Sequence, residues 1–273
     1  MKSSSTITPN DDDECYVWSF DQRDIDNPTP TAFTRLLYAE RVKAILSLVT
    51  SLVPAAGRIA DVGCAQGNVA LLLAERGFVV DAFDLNASFL NYSRQKYETG
   101  QIRWLQGNIF DDSALSKGTT YNAVILGEIV EHVAHPGDLI AKALDLVSPG
   151  GVVIVTTPNG EYVRSRLPSY GDIIRSGDLP RIEREQFGPG GEHHLFAYSR
   201  RELLADIPST GSLVRITYLG SGLFNSHVQP LLDSPVGGAY AALASFVPRV
   251  PGIRRKLAQT LVLVVRRQPQ MER

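Results

Sequence analysis

The stretch Asp61-Val62-Gly63-Cys64-Ala65-Gln66-Gly67 follows a short apolar run and opens directly into the helical pattern Asn68 to Glu75. Glycines at that place let a backbone come close to a ligand at the carboxyl edge of a β-strand, where open α/β sheets bind cofactors. The next apolar run, Phe78 to Phe83, ends at Asp84, a carboxylate positioned to accept hydrogen bonds from ribose hydroxyls. These residues read as a nucleoside-cofactor site. A dinucleotide needs Gly-x-Gly-x-x-Gly so that the pyrophosphate can reach the helix N-terminus. Here the only close pair is Gly63 and Gly67, which disfavours a pyrophosphate. Asp61 at the strand end suits a cationic ligand, such as the amine and sulfonium of S-adenosylmethionine. The plain alternative is an ordinary strand–loop–helix turn with an incidental acid.

A second constellation, Gly127-Glu128-Ile129-Val130-Glu131-His132, follows the apolar run Ala123 to Leu126. Residues three and four apart share a face if the chain turns into a short helix there, so Glu128, Glu131 and His132 can converge. Two carboxylates and an imidazole begin a site for Mg²⁺, Mn²⁺ or Zn²⁺, and His193 or His194 would complete it. Without a metal, His132 or His194, with Glu131 beside them, can serve as a general base, because an imidazole titrates near neutrality. Either scheme favours a hydroxyl acceptor, since an amine needs less help. In a purely structural reading, Glu128 touches the cofactor's edge while Glu131 and His132 brace the following loop.

The elements that must position these residues alternate regularly. Strands are expected at 58–62, 78–83, 101–105, 121–126 and 151–156, and helices at 67–76, 87–98 and 137–147. Such alternation implies a doubly wound, mostly parallel sheet with helices on both faces. Pro149-Gly150-Gly151 reads as a tight turn before Val152 to Val155, and Ser199 with Glu202 reads as a capping box. Runs 213–219 and 259–266 are expected to be the final strands. The domain is placed at 31–273 and begins with an amphipathic helix over 31–50. A substrate-side insertion is expected at 158–198 and a variable segment at 221–252, both rich in glycine and proline.

Residues 1–30 read as an acidic arm or lid, with the first ten residues disordered. Tyr16, Trp18 and Phe20 alternate along it and would be costly to leave in water, so a strap over the pocket or simple packing on the domain is expected. The insertion supplies Tyr162, Tyr170, Phe187, Phe196 and Tyr198 for a flat acceptor, although Phe196 and Tyr198 read better as core. Arg164, Arg166, Arg175, Arg181 and Arg184 could meet an anionic group there, or simply be solvated beside nearby acids.

The chain has 273 residues, 44% of them apolar, enough to bury a full α/β core. Its net charge of −2 lacks the basic excess of a general nucleic-acid binder, though a local patch stays open. Two cysteines, Cys15 and Cys64, are too few for a disulfide framework, so a reduced cytoplasmic setting is expected. No signal peptide is read, and the apolar run Leu261 to Val265 is far too short to span a bilayer. The basic groups around it, Arg254-Arg255-Lys256 and Arg266-Arg267, fit an anionic membrane contact or a solvated edge strand. The sequence does not specify an oligomeric state.

Over residues 38–220 the chain resembles the class I S-adenosylmethionine-dependent methyltransferases, on the strength of the Asp61–Gly67 loop and Asp84. The resemblance implies a Rossmann-like, seven-stranded sheet closed by an antiparallel hairpin whose last strand inserts between earlier ones. It also implies that the loop, with Asp61, Gly63, Cys64 and Gly67, wraps the methionine part and that Asp84 takes the ribose. Asn108 would meet the adenine N6, a place usually held by an acid, and Leu85 and Ile109 would sandwich the ring.

Glu128-x-x-Glu131-His132 resembles the ubiquinone-pathway O-methyltransferases of polyprenylated catechols. More loosely, with His194-Leu195-Phe196-Ala197-Tyr198-Ser199-Arg200, the chain resembles the small-RNA 2′-O-methyltransferases. In that second branch two Glu and two His bind a divalent metal, which implies Glu128, Glu131, His132 and His194 here. Ala197 and Tyr198 depart from its pattern. The leading expectation is methyl transfer to a hydroxyl of a small aromatic or prenylated molecule in biosynthesis. The alternatives are RNA 2′-O-methylation and a non-catalytic cofactor-binding protein.

Overall fold

The computed structural model describes residues 1–110, 119–186 and 194–269. The strands are β1 (Arg58–Val62), β2 (Val79–Asp84), β3 (Gln101–Gln106), β4 (Tyr121–Gly127), β5 (Val147–Pro158), β6 (Gly211–Ser221) and β7 (Ala258–Arg267). They form one sheet in the order β3-β2-β1-β4-β5-β7-β6. β1 to β5 run parallel, while β7 lies between β5 and β6 and is antiparallel to both. This is a Rossmann-like class I methyltransferase sheet, closed by the expected inserted hairpin.

The helices are α1 (Asp12–Asp24), α2 (Phe33–Leu52), α3 (Asn68–Glu75), α4 (Ala87–Gln95), α5 (Pro136–Leu146), α6 (Tyr170–Ser176), α7 (Leu179–Glu185), α8 (Arg200–Ala205), α9 (Gln229–Leu232), α10 (Gly237–Ala244) and α11 (Arg254–Leu257). Both sheet faces are covered, so the central strands are apolar at nearly every position. On one face Ile59, Val80, Ile125 and Ile154 pack against α2, α3 and α4 through Ile45, Leu73 and Leu90. On the other, Ala60, Val124, Val153 and Leu263 pack against α5 and α8 through Leu139, Ile140 and Leu203.

The N-terminal arm differs from its expectation. Asp11 caps α1 by accepting from the Glu14 amide at 2.7 Å, and Asp12, Asp13 and Glu14 fill the first turn, where acids complement the helix dipole. The acidic run is therefore a helix start. The first ten residues are ordered as well, with a 3₁₀ turn over Ser4–Thr6 and the Lys2 amide donating to the Lys96 carbonyl at 2.9 Å. Helical pitch also separates the aromatics. Tyr16 and Phe20, four apart, meet with ring centroids at 4.6 Å, while Trp18 turns away and donates to the Ser4 carbonyl at 3.1 Å.

Two smaller differences follow from local geometry. Pro149-Gly150-Gly151 lies inside β5, whose pairing with β4 shifts register between Tyr121 and Ala123. The strand thus absorbs the turn as a bulge. The insertion contains α6 and α7, and a capping box from Ser169 and Asp172 starts α6. The Ser199–Glu202 capping box forms as expected. Phe196 and Tyr198 are fully buried in the core.

Candidate functional site

The carboxyl ends of β1, β2 and β4 open into a cavity of about 1320 Å³, large enough for a nucleoside cofactor with room to spare. Asp61, Gly63, Cys64, Asp84, Leu85, Glu128, His132 and His194 all line it. Gly63 and Gly67 have φ of +69° and +71°, a region that favours glycine. A side chain at Gly63 would meet Ile129 Cδ1 at 2.6 Å, so the loop passes close to the Glu128–His132 segment. Gly67 caps α3 instead of facing the cavity.

Asp84 holds this loop. Its Oδ2 accepts from the Ala65 amide and its Oδ1 from the Asn86 amide, at 2.8 and 2.9 Å. Each oxygen retains a lone pair for a ribose hydroxyl. Burial raises the Asp84 carboxyl, against the amide hydrogen bonds that favour its charged form. Asp61 is more enclosed, and burial pushes its carboxyl up to about 7, opposed by a hydrogen bond from the Ala70 amide. A buried carboxylate in the cavity wall fits the cationic end of S-adenosylmethionine. Burial likewise pushes the Cys64 thiol well up, so it lines the wall as an inert group.

Asn108 and Ile109, two of the expected adenine contacts, are not among the residues that line the cavity. Ile109 packs into the core beneath β4 and α5 with 3% of its surface exposed. Asn108 Oδ1 accepts from the Phe110 amide at 3.1 Å, closing a local turn. Leu85, about half exposed, stands at the cavity and keeps an apolar face available.

Val130–His132 forms one 3₁₀ turn, tighter than the expected helix. The Leu195 amide donates to the Glu131 carbonyl at 3.2 Å, which ties the chain around His194 to this turn. Ligating atoms of Glu131, His132 and His194 then lie within 4.8 Å of one another, and the two imidazole centroids are 5.0 Å apart. Glu128 does not join this trio. Its Oε2 pairs with Arg41 at 3.2 Å, and its backbone is left-handed with φ of +54°, a strained conformation for a residue other than glycine. His193, Glu192 and Phe187 lie outside the described residues.

Glu131 is fully buried. Thr157 Oγ1 donates to its Oε2 at 3.0 Å, and Oε1 has no hydrogen-bond partner among the described residues, with His194 Nε2 at 3.6 Å. Burial, reinforced by the Glu128 charge, holds its carboxyl well above the usual range. An orphaned buried oxygen beside two imidazoles fits either a shared proton or a divalent cation.

A second chamber of about 400 Å³ adjoins the cavity, and Arg41, Glu128, Tyr38 and His194 line both spaces. Its far wall is Pro158, Asn159, Tyr162, Gln259 and Thr260. The sequence reading did not single out Tyr38 or Arg41. Their three-residue spacing on α2, with the guanidinium 5.2 Å from the ring, was the available signal. Two of the insertion arginines are paired locally, Arg175 with Asp172 and Arg181 with Glu185. Among the described residues no helix is long and apolar enough to cross a membrane.

The mostly parallel sheet, with the glycine loop and Asp84 at its carboxyl edge, has the architecture of a class I S-adenosylmethionine-dependent methyltransferase. Residues 34–204 match the "Methyltransferase domain" family, and the chain belongs to it. It is 36% identical over 180 residues to the ubiquinone biosynthesis O-methyltransferase of Vibrio parahaemolyticus, covering 65% of this chain and 70% of that one. Identity to the protein of the same description from Thiobacillus denitrificans is 30% over 158 residues, covering 51% of this chain and 68% of the relative. Among solved structures, an S-adenosylmethionine-dependent methyltransferase from Mesorhizobium loti shares the fold, with a TM-score of 0.53 at 16% identity and coverage of 82% and 98%.

Proposed function

We propose that this methyltransferase transfers the methyl group to a hydroxyl of a small aromatic or prenylated molecule in biosynthesis. The observation that carries the reading is the trio Glu131, His132 and His194, with His194 exposed to both the cofactor cavity and the adjoining chamber. The names of the relatives, which act in ubiquinone biosynthesis as O-methyltransferases, support the same choice.

In this reading Asp84 takes the ribose, Asp61 faces the cationic amino-acid end, and Gly63 gives the cofactor close access. Leu85 would cover one face of the adenine. The methyl carbon is already activated on its sulfonium, so the protein must align it with the acceptor oxygen and exclude water. His132 or His194 removes the hydroxyl proton, and buried Glu131 orients the imidazoles. Arg41 holds Glu128 at the junction of the two spaces.

α1, with Tyr16 and Phe20 on the cavity, serves as a lid wall, and Pro158, Asn159, Tyr162, Leu167 and His194 face the acceptor. The unpaired thiols of Cys15 and Cys64 support a reduced cytoplasmic setting. The orphaned Glu131 Oε1 favours one addition, a divalent cation (Mg²⁺, Mn²⁺ or Zn²⁺) held by Glu131, His132 and His194. Such an ion would lower the pKa of the acceptor hydroxyl.

The deciding experiment supplies methyl-labelled S-adenosylmethionine with catechols, prenylated phenols and small RNA as separate acceptors. Label on a phenolic oxygen is the expected result. Label on RNA ribose with none on phenols would move the assignment to RNA 2′-O-methylation.

A further inference from the structure

The helix α10, Gly-Gly-Ala-Tyr-Ala-Ala-Leu-Ala, is apolar on every side. A helix of that kind is ordinarily enclosed in a core or in lipid. Here only one side is covered: Gly237 and Ala244 are buried, and Tyr240 and Ala241 pack against the small cluster of Phe224 and Leu232. The other side is open. Leu243 is 74% exposed and Phe246, on the following turn, 59%. Val236, Val250 and Ile253, on the same stretch of chain, are exposed as well.

Along the chain the charge that follows this surface is basic, with Arg255 paired to Glu161 and Arg249, Arg254 and Lys256 making the rest of the rim. From Ser234 to Lys256 the chain has no Asp or Glu, while Arg249, Arg254, Arg255 and Lys256 follow the apolar helix within a few turns. Arg249 lies over the Phe246 ring at 5.3 Å, so one cation sits directly beside the most exposed aromatic of the patch. An exposed apolar face with a basic rim matches the boundary of an anionic lipid leaflet.

We propose that α10 and the turns to α11 dock this enzyme on an anionic membrane surface, with Leu243 and Phe246 entering the headgroup boundary and the basic rim meeting lipid phosphates. A second copy of the chain fits less well, because a two-fold contact on this face would set the same cations against one another. The face is also joined to the smaller chamber. The Arg255 carbonyl accepts from Asn159 Nδ2 and the Lys256 carbonyl from the Val163 amide, both at 2.9 Å. The basic rim is thus tied by hydrogen bonds to the Asn159 and Tyr162 wall of that chamber. The docking itself does not depend on which acceptor is methylated.

The test is sedimentation of the full chain with vesicles of phosphatidylcholine alone and of phosphatidylcholine mixed with phosphatidylglycerol. The chain should partition to the mixed vesicles, and added salt should release it. Leu243→Glu with Phe246→Glu should lower partitioning roughly tenfold or more. Arg254→Glu with Lys256→Glu should lower it by roughly fivefold for each cation removed. Cofactor binding measured by calorimetry should be unchanged in both variants, which confirms their fold. The proposal is overturned by no sedimentation, by equal sedimentation with both vesicle types, or by variants that partition like the parent. A dimer that Leu243→Glu dissolves would also overturn it and assign the face to self-association.

Discussion

Asp21 and Lys96 form an ion pair sealed inside the protein, with Nζ 2.5 Å from Oδ2 and side chains 2% and 1% exposed. Asn68, in the first turn of the helix after the glycine loop, bridges both partners, donating to Asp21 at 2.7 Å and accepting from Lys96 at 2.6 Å. Tyr92 adds a hydrogen bond to Asp21 at 2.8 Å. The arm helix is thereby locked to the helix that follows the cofactor loop.

Removing one partner leaves the other charge buried and alone. Asp21→Ala should therefore lose about 3–5 kcal/mol in chemical denaturation, whereas Asp21→Leu combined with Lys96→Met should recover much of that loss. If the single variant unfolds at the parent's denaturant midpoint, the pair does not anchor the arm.

Asp84 supports both the loop and the proposed ribose contact. Asp84→Ala should weaken S-adenosylmethionine binding by about 1.5–3 kcal/mol for each charged hydrogen bond lost. Calorimetry on the purified variant measures this directly, and unaltered affinity would remove Asp84 from the cofactor site.

Asp61 gives cofactor binding a pH dependence. With its carboxyl pushed up to about 7, the apo protein carries a proton there under mildly acidic conditions. A cationic ligand needs the ionised form, so one proton must leave on binding below that value. Kd should then rise by up to tenfold per unit as pH falls below about 7 and level off above it. The folded state of the apo protein has the opposite dependence: a raised carboxyl pKa destabilises it increasingly as pH climbs from the unfolded value toward 7. Asp61→Asn should flatten both profiles, and a parent Kd constant between pH 5.5 and 8 would contradict the assignment.

Turnover should depend on the imidazole pair more than binding does. His132→Ala and His194→Ala are each expected to leave cofactor affinity near the parent's, and the variant lacking the working base should lose about 10²–10⁴ in kcat. Stopped assays before and after verified metal removal separate the two chemistries. Activity that survives chelation leaves proton abstraction by imidazole as the mechanism, while activity restored by a divalent ion assigns the trio as its ligands.

Much of the fold was legible along the chain because its signals are local. Apolar runs of strand length, the glycine pair before Asn68 and the capping box at Ser199 each depend on residues within one element or turn. Asp61 and Asp84 could be read for the same reason, since each ends a strand whose position the pattern already gives. The tertiary structure alone decided what meets across the fold. Residues 1–30 read as an acidic arm or lid, and only the fold shows that Asp12 to Glu14 open a helix whose Asp21 meets Lys96, 75 residues away. Arg41 of α2 pairs with Glu128, which stands outside the trio it was expected to join. His194 meets Glu131 and His132 through a backbone hydrogen bond from its neighbour Leu195, which no spacing encodes. A local pattern sets an element's period and ends; which side chains then share a cavity follows from strand order and packing, and those are properties of the assembled sheet.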